Sequence, residues 1–381
     1  MFCSEDFELF KIVDNNKVSE IKNKIFESKY NAIGTNNTTQ IFDIDLCKRG
    51  ITSISLGISK GCTLACKYCY VSAFESDISK MTTDKFCDIL SFFDDIKQNQ
   101  ITFHIIGDGE PTINYSLLEK IPHLCKQHGY NNCKFEITTN GTLLSDKLAR
   151  CFLKDDYLVY VSLDGGVAQN VNRIFPNGEG SFNTVYTNIR HARQIGLDVI
   201  CKAVIDPNYS QLLKVFSFFE EEKLPFTFSF ISNSFDGHFS PQINDITEFS
   251  KQMDAVSQMY ARLIRQNKML FCKTIINDLK RIHRGTIFTY GCKAVRNGVY
   301  INLDGDIYTC TYHSSSEQLK IGSIYGQIDY EKVKTNRYYA QPVDSYQKCK
   351  QCWMKHLCAG ACFAIKWLET GNTYTPSDYT C

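Results

Sequence analysis

Short, largely apolar runs alternate with helical patterns between residue 51 and about residue 231. The runs read SISLGIS, ITFHII, FEITT, LVYVSL, DVICKAVI and FTFSFI, at residues 53–59, 101–106, 135–139, 158–163, 198–205 and 226–231. Strands that are apolar on both faces are typical of a parallel sheet that helices cover. The pattern therefore predicts six parallel strands.

Between these runs, apolar residues recur at the three- and four-residue spacing of amphipathic helices. The three stripes are Phe86, Ile89, Leu90 and Phe93; Leu117, Leu118, Ile121, Leu124 and Cys125; and Val185, Ile189, Ala192 and Ile195. Asp84, Ser145 and Ser181 occupy the expected N-cap positions. Repeated βα units imply right-handed crossovers, and six strands are too few for an eight-stranded barrel. We therefore expect an α/β fold built on a partial (β/α)6 barrel.

The flanking segments depart from this alternation. Residues 1–50 contain one predicted helix, from Val18 to Tyr30, and an Asn/Thr-rich loop from Gly34 to Gln40. From about residue 290 the cysteine density rises, and GVYINLDGDIYTC predicts a hairpin that turns at Gly305. We expect four parts: an N-terminal segment over 1–50, the core over 51–240, a helical bridge over 241–289, and a small cysteine-rich α+β domain over 290–381.

Composition and charge limit the classes of function further. The 42 Lys and Arg residues balance 41 Asp and Glu, so the charge gives no reason to expect a nucleic-acid or anionic-membrane partner. The sequence contains no apolar run of membrane-spanning length, and its first residues are acidic, so we expect a cytoplasmic protein without a signal peptide. The chain has 18 cysteines. In a reducing compartment, clustered cysteines are more often metal or cluster ligands than disulfide partners.

The first cysteine cluster follows the first predicted strand. The segment GCTLACKYCY supplies Cys62, Cys66 and Cys69 in a C-x3-C-x2-C spacing. Three thiolates on one loop can hold a four-iron cluster and leave one iron without a protein ligand, and an open position is what a catalytic metal site keeps. A zinc knuckle that uses Cys66 and Cys69 is the alternative, but the next C-x2-C pair begins only at Cys349.

This loop and several later segments resemble the radical S-adenosylmethionine (SAM) enzymes, over most of the chain. In that family a Gly-Gly-Glu-Pro segment contacts the methionine amino group of SAM. Here GDGEP supplies Gly109, Glu110 and Pro111, while Asp108 replaces the first glycine. A carboxylate beside tight glycine backbone can accept an ammonium group. The resemblance also assigns Tyr70 to the cofactor site.

Two further strand ends match the family. Thr139 and Asn140 in TTNGT resemble its ribose-binding turn. In the resembling subfamily the serine of the next strand, here Ser162, and a downstream arginine, here Arg173, approach the SAM carboxylate and ribose; Asp164 is a further member of this group. Each segment alone is ordinary turn sequence. Together they mark the carboxyl edge of the sheet, where barrel-like α/β enzymes place their active sites.

The C-terminal region carries a second array, similar to the seven-cysteine SPASM domain, which is an auxiliary-cluster module of one radical SAM subgroup. The resemblance implies that one auxiliary cluster is ligated by Cys349, Cys352, Cys358 and Cys381, and the other by Cys292, Cys310 and Cys362. Two structural zinc sites are an alternative that the spacing does not exclude. Cys272 could complete the second set. If Cys272 is not a ligand, one iron of that cluster has no protein ligand, and a soft substrate thiolate could bind there.

The resemblance implies three [4Fe-4S] clusters, one of which binds SAM, and a 5′-deoxyadenosyl radical that abstracts hydrogen from the substrate. Auxiliary clusters favour an oxidative reaction, here the maturation of a ribosomally synthesised peptide by a thioether or carbon–carbon cross-link. The implied partners are the precursor peptide and an electron donor such as flavodoxin or ferredoxin. Because 50 residues are few for a complete peptide-recognition domain, we expect residues 1–50 to form a partial recognition module or a separate protein to bind the leader peptide. Candidate catalytic residues near Cys310 are Asp306, Tyr308, Tyr312 and His313.

Two alternatives remain open. Sulfatase-maturating enzymes convert Cys or Ser to formylglycine and carry an aspartate directly after the cysteine that corresponds to Cys310. Thr311 stands there in this chain and cannot act as a general base, which weakens that interpretation. A cysteine-rich metal scaffold or electron carrier is the non-enzymatic alternative, but a scaffold has no need for Glu110, Asn140 or Arg173.

Overall fold

The computed structural model describes residues 51–381 apart from 235–236, 238, 287, 290, 293–297, 315, 336–341, 372–374 and 377–380. The predicted N-terminal segment over 1–50, with its helix and its Asn/Thr-rich loop, lies outside the described residues. The strands are β1 (Ile51–Leu56), β2 (Ser59–Lys60), β3 (Ser79–Lys80), β4 (Lys97–Ile105), β5 (Cys133–Thr139), β6 (Tyr157–Ser162), β7 (Val199–Ile205), β8 (Phe226–Phe230), β9 (Gly298–Ile301), β10 (Asp306–Tyr308) and β11 (Lys320–Ser323).

Nine of these strands form one sheet, in the order β11-β10-β9-β1-β4-β5-β6-β7-β8. Every pair from β9 through β1 to β8 is parallel, which confirms the α/β class and the six predicted strands. The first predicted strand is displaced: it ends at Leu56, and Ser59–Lys60 pairs instead with Ser79–Lys80. Within the described residues β8 and β11 are the two edges of the sheet, so the sheet is open, as a partial barrel requires.

The helices are α1 (Thr83–Phe92), α2 (Tyr115–Leu118), α3 (Ile121–Gln127), α4 (Asp146–Lys154), α5 (Gln169–Asn172), α6 (Phe182–Ile195), α7 (Leu212–Glu221), α8 (Ile246–Arg265), α9 (Lys273–His283), α10 (Tyr330–Thr335), α11 (Lys355–Cys358) and α12 (Phe363–Thr370). The predicted apolar stripes are buried against the sheet in one large core. Ser145 caps α4 as expected, accepting the Leu148 amide at 3.3 Å, whereas Thr82 rather than Asp84 caps α1.

The predicted C-terminal hairpin is present, and it extends the core sheet. β9 pairs with β1 in parallel from Ser53↔Gly298 to Leu56↔Ile301, and β10 returns antiparallel to β9. Gly305 makes the turn with φ +91, a conformation that favours glycine. The sheet therefore continues across the domain boundary that the sequence predicts at residue 290, and it fixes Cys310 relative to the first cysteine loop.

The two faces of the parallel strands differ in character. Side chains such as Phe103, Ile137 and Val159 are buried beneath the helices. The opposite face carries polar groups, including an ion pair between His104 and Glu136 with a 3.0 Å Nδ1–Oε2 distance. A ligand on this second face would therefore meet polar side chains. In the described part of the chain, no helix has both the length and the apolar composition that a membrane span requires.

Candidate active site

A cavity of about 230 Å³ lies at the carboxyl ends of the parallel strands. The predicted site residues that line it are Cys62, Cys66, Cys69, Tyr70, Gly109, Glu110, Thr139, Asn140, Ser162, Arg173 and Tyr312. Tyr68, Thr138, Ser229, Phe230 and Ser232 complete much of its wall. The structure thus brings the first cysteine loop and the three predicted strand-end segments to one place, as parallel strands with a shared carboxyl edge should.

Each of the three sulfur atoms in the first loop has a nitrogen donor within reach. Donors from three different segments surround sulfurs that share one cavity, and such donors stabilise a negatively charged thiolate and tune a bound iron–sulfur cluster. The contacts are Ala73 N to Cys69 Sγ at 3.4 Å, Asn140 Nδ2 to Cys62 Sγ at 3.4 Å, and Arg173 Nη1 to Cys66 Sγ at 3.9 Å.

The thiols also fit a metal centre electrostatically. Burial raises the pKa of Cys62 to about 12 and that of Cys66 to about 11, so these thiols do not ionise at neutral pH without compensating positive charge. A coordinated metal supplies that charge. Among the residues that the structure describes, no three His, Cys, Asp or Glu side chains converge closely enough to hold a single metal ion.

Glu110 connects the cysteine loop to two neighbouring strands. It is 2% exposed, and its Oε1 accepts hydrogen bonds from Thr112 N at 3.0 Å and Thr139 Oγ1 at 2.6 Å. Its Oε2 accepts only the Asn140 amide, at 2.7 Å, among the described residues. Since a carboxylate oxygen has two acceptor sites, Oε2 retains capacity for one more donor. An ammonium group in the cavity would suit that position.

Close backbone approach explains the glycine at position 109. Gly109 forms a parallel bridge with Gly61, and the Glu110 amide donates to Gly61 O at 2.9 Å. A Cβ atom on residue 109 would lie 2.3 Å from Gly61 O. Asp108, where the family pattern has glycine, adopts φ +27, and its Oδ2 accepts the Leu303 amide at 3.3 Å. That side chain ties the turn after β4 to the β9–β10 hairpin.

Replacing Gly109 by alanine is expected to weaken SAM binding at least about tenfold, because the added methyl group must displace the backbone that carries the cysteine loop. Calorimetric titration of the anaerobically reconstituted enzyme with SAM measures the effect. Gly326→Ala is the matched control, since its Cβ would meet no atom closer than 4.0 Å. Wild-type affinity in Gly109→Ala would contradict the assigned role of this contact.

A buried ion pair holds the other side of the loop. Arg173 and Asp164 are 7% and 5% exposed, and Arg173 Nε lies 3.0 Å from Asp164 Oδ2. The same Oδ2 accepts the Tyr68 hydroxyl, while Oδ1 accepts the Val204 amide at 2.9 Å. Asp164 thereby links the ends of β6 and β7 to the cysteine loop, and the Arg173 guanidinium is directed at Cys66.

Two residues that were predicted to contact the cofactor make hydrogen bonds or ion pairs to other protein groups. The Asn140 side chain donates to Cys62 Sγ and to Thr63 Oγ1, the latter at 2.9 Å, and accepts the Thr142 amide at 2.9 Å. Arg173 is paired with Asp164. The roles of Asn140 at the ribose and of Arg173 at the SAM carboxylate stay predictions. Sequence reasoning missed a supporting chain, in which Gln169 accepts the Asp164 amide at 2.7 Å and donates to Ser181 Oγ at 3.1 Å. No local motif marks Gln169, and the Ser181 hydroxyl, which was expected to cap α6, donates to Arg173 O instead.

Only one of the four candidate catalytic residues lines the cavity. Tyr312 stacks on Tyr70 with ring centroids 4.5 Å apart, and the pair forms one wall. Asp306 pairs with Lys320 at 2.8 Å, and Tyr308 is buried in the same hairpin. The fourth candidate, His313, is 2% exposed and has Nδ1 2.9 Å from Thr309 Oγ1; burial lowers the pKa of His313 to about 4, which makes it a neutral buried group.

The seven C-terminal cysteines fall into two groups. Cys310 interacts electrostatically with Cys362 and Cys292, and Cys349 with Cys381, Cys358 and Cys352. A Cβ on Gly291 would lie 2.9 Å from Ala361 O, so the segment that bears Cys292 packs against the loop between Cys358 and Cys362. The same cysteines form the sets of three and four that the family resemblance implies, and their roles as cluster ligands stay predictions.

Cys272 lies elsewhere. It is fully buried, its amide donates to Glu220 Oε1 at 3.1 Å, and it bridges to Phe226 at the amino end of β8. The cavity lies at the carboxyl end of that strand, at Ser229 and Phe230. This position gives no support to Cys272 as the fourth ligand of the group that contains Cys310.

Comparison with known proteins identifies the family of one domain of the chain. Residues 56–209 match the model of the radical SAM superfamily. A cysteine-type anaerobic sulfatase-maturating enzyme of Clostridium perfringens is 24% identical over 325 residues, which cover 80% of this chain and 86% of that protein.

Solved structures agree on the fold. Native anSMEcpe with bound AdoMet superposes with a TM-score of 0.74 at 19% identity, covering 86% of this chain and 94% of that one. Streptococcus suis SuiB bound to precursor peptide SuiA gives a TM-score of 0.61 at 18% identity, covering 100% of this chain and 93% of that one. The family match covers the cysteine loop and the ends of β4 to β7 that line the cavity, whereas Ser229, Phe230, Ser232 and Tyr312 lie outside the match. Residues 56–209 of this chain therefore form a radical SAM domain.

Proposed function

We propose that this chain is a radical SAM enzyme that oxidatively modifies a ribosomally synthesised peptide, by installing a thioether or a carbon–carbon cross-link. The observation that carries the proposal is the shared cavity. Its lining includes the three-cysteine loop, Glu110 and Tyr312, which stands two residues after Cys310. A site for SAM and a site beside an auxiliary cysteine group thus open into the same space.

The residues present fit the cofactors that the family implies. Cys62, Cys66 and Cys69 would hold a [4Fe-4S] cluster, and Glu110 would hold the ammonium group of SAM. When bound, reduced cluster and SAM together supply a 5′-deoxyadenosyl radical that can abstract hydrogen from an unactivated carbon. The protein's part is to orient the cofactor and the substrate and to exclude water from the cavity. Glu110 and the Arg173–Asp164 pair fix the loop, and the stacked Tyr70 and Tyr312 rings close one wall.

The C-terminal groups would hold two auxiliary clusters: Cys349, Cys352, Cys358 and Cys381 one of them, and Cys292, Cys310 and Cys362 the other. Because Cys272 lies at the amino end of β8, we favour an open iron in the three-cysteine cluster, available to a substrate thiolate. We place the enzyme in the cytoplasm, with a flavodoxin or ferredoxin as electron donor and a separate protein that binds the leader peptide.

The relatives support a peptide substrate. SuiB was solved with a precursor peptide, and the Clostridium perfringens relative is a sulfatase-maturating enzyme. Formylglycine formation is the second candidate, and the sequence similarity to that relative favours it. Thr311 in place of the expected aspartate argues against it, since a hydroxyl cannot serve as the general base.

Mass spectrometry of a co-expressed precursor tests the proposal. We expect a short peptide encoded beside this gene to lose about 2 Da, two hydrogens, for each cross-link when it is co-expressed anaerobically with the enzyme. Loss of one alkylatable thiol with each step indicates a thioether, and retention of every thiol indicates a carbon–carbon link. An unchanged peptide mass, while SAM is cleaved, would contradict the proposed substrate and leave the enzyme class intact.

A further inference from the structure

A buried lysine lies between the two C-terminal cysteine groups. Lys366 on α12 is 1% exposed, although lysine is rarely buried without an anionic partner. Its Nζ lies 3.7 Å from the centroid of the Tyr346 ring. The ring itself is fixed, because Tyr346 is 3% exposed and its carbonyl accepts the Cys349 amide at 3.0 Å. The ammonium group therefore has a defined position.

Both neighbouring cysteine segments enclose this position. Gly360, between Cys358 and Cys362, has φ +81, and a Cβ there would lie 2.6 Å from the Tyr346 ring and 3.6 Å from Lys366 Nζ. The Lys366 amide donates to Cys362 O at 3.1 Å. Lys366 interacts electrostatically with Cys362 of one group, and with Cys349, Cys358 and Cys381 of the other.

The charge of Lys366 has no carboxylate partner in the described part of the chain. The other buried lysine of this region shows the contrast, since Lys355 Nζ lies 2.7 Å from Asp344 Oδ1. A cation–π contact offsets only part of the cost of removing an ammonium group from water. The groups that interact electrostatically with the ammonium group are the cysteines on either side.

We propose that Lys366 is the internal counter-cation of the auxiliary clusters, and that its charge makes at least one of them easier to reduce. This inference rests on the proposed function, since it requires that clusters occupy the two groups. Reduction adds one electron to a centre that is already anionic. A fixed positive charge in a poorly solvated position stabilises the added electron, whereas a solvent-exposed charge is screened. Lys366 is thus a positioning residue for charge and not a ligand.

The effect of Lys366 on the reduction of the auxiliary clusters is tested by a redox titration of the reconstituted enzyme. Electron paramagnetic resonance follows the cluster signals that SAM does not alter. In Lys366→Met, we expect the equilibrium constant for reduction of an auxiliary cluster to fall at least about tenfold, which for one electron is a midpoint about 59 mV more negative. Lys366→Arg keeps the charge and should stay within about threefold of wild type. Lys350→Met is the matched control, because Lys350 follows Cys349 but is exposed.

The possible outcomes of this titration separate a charge effect of Lys366 from a packing effect. An unchanged potential in Lys366→Met, with full iron content, would overturn the inference, and so would an equal shift in Lys350→Met. Loss of auxiliary iron in Lys366→Met but not in Lys366→Arg would support a charge requirement, whereas loss in both would show a packing role and overturn it. A wild-type chain that binds only four irons would instead overturn the auxiliary clusters of the proposed function.

Discussion

Cys66→Ala is expected to lose about four irons per chain and to cleave SAM at least about a thousandfold more slowly than the wild type. Cys66 is the middle residue of the three-cysteine loop, and its sulfur meets the Arg173 guanidinium at 3.9 Å. A four-iron cluster held by two remaining thiolates would be lost or would no longer present its open iron to SAM. Iron and sulfide analysis, with chromatographic quantification of 5′-deoxyadenosine, measures both effects.

The control is a cysteine outside the predicted ligand sets. Cys87 lies on α1 and is partly exposed, so Cys87→Ala should retain wild-type iron and activity. Equal iron in Cys66→Ala and the wild type would show that this loop holds no cluster. Two or three zinc ions per chain in place of iron would favour the scaffold alternative.

Arg173→Met is expected to lower the free energy of unfolding by about 3–5 kcal/mol, because it leaves the Asp164 carboxylate buried without its cation. The exposed pair between Arg281 and Asp278, also 3.0 Å apart, offers a matched control. Arg281→Met should cost less than about 1 kcal/mol, since water screens that pair. Chemical denaturation under anaerobic conditions gives both values.

A second substitution separates the effect of the unpaired charge on stability from the effect of lost packing. Asn at position 164 is neutral and keeps an oxygen for the Val204 amide, which Asp164 accepts at 2.9 Å. The double variant Arg173→Met, Asp164→Asn should therefore be more stable than Arg173→Met alone, because no uncompensated charge remains. If the double variant loses as much stability as the sum of the two single variants, the ion pair is not the source of the effect.

The strand pattern predicted the core sheet, because it is a local signal of the sequence. Apolar runs gave the six parallel strands, and the strand ends then placed Glu110 and Asn140 near Cys62. The position of the C-terminal hairpin could not be read in the same way. β9 pairs with β1 across more than two hundred residues of chain, and its sequence is compatible with a separate small sheet. Long-range strand pairing has no local signature.

Side-chain roles were predicted less well than positions. Sequence reasoning put Asn140 and Arg173 at the right place, but their hydrogen bonds to the cysteine loop and to Asp164 depend on geometry that no motif encodes. His313 stands three residues after Cys310, so proximity along the chain made it a catalytic candidate; its ring is buried against Phe363 instead. Lys366 carried no sequence signal, because a lysine in a helix is usually exposed.

Transfer of deuterium from the peptide to the cofactor product tests the central claim most directly. The precursor peptide would be produced with deuterated amino acids, incubated anaerobically with reconstituted enzyme, dithionite and SAM, and the 5′-deoxyadenosine analysed by mass spectrometry. We expect one deuterium in 5′-deoxyadenosine for each cross-link formed, and none when Cys66→Ala is used. SAM cleavage without deuterium transfer, at a rate that the peptide does not change, would contradict the account that this chain is a radical SAM enzyme acting on a peptide.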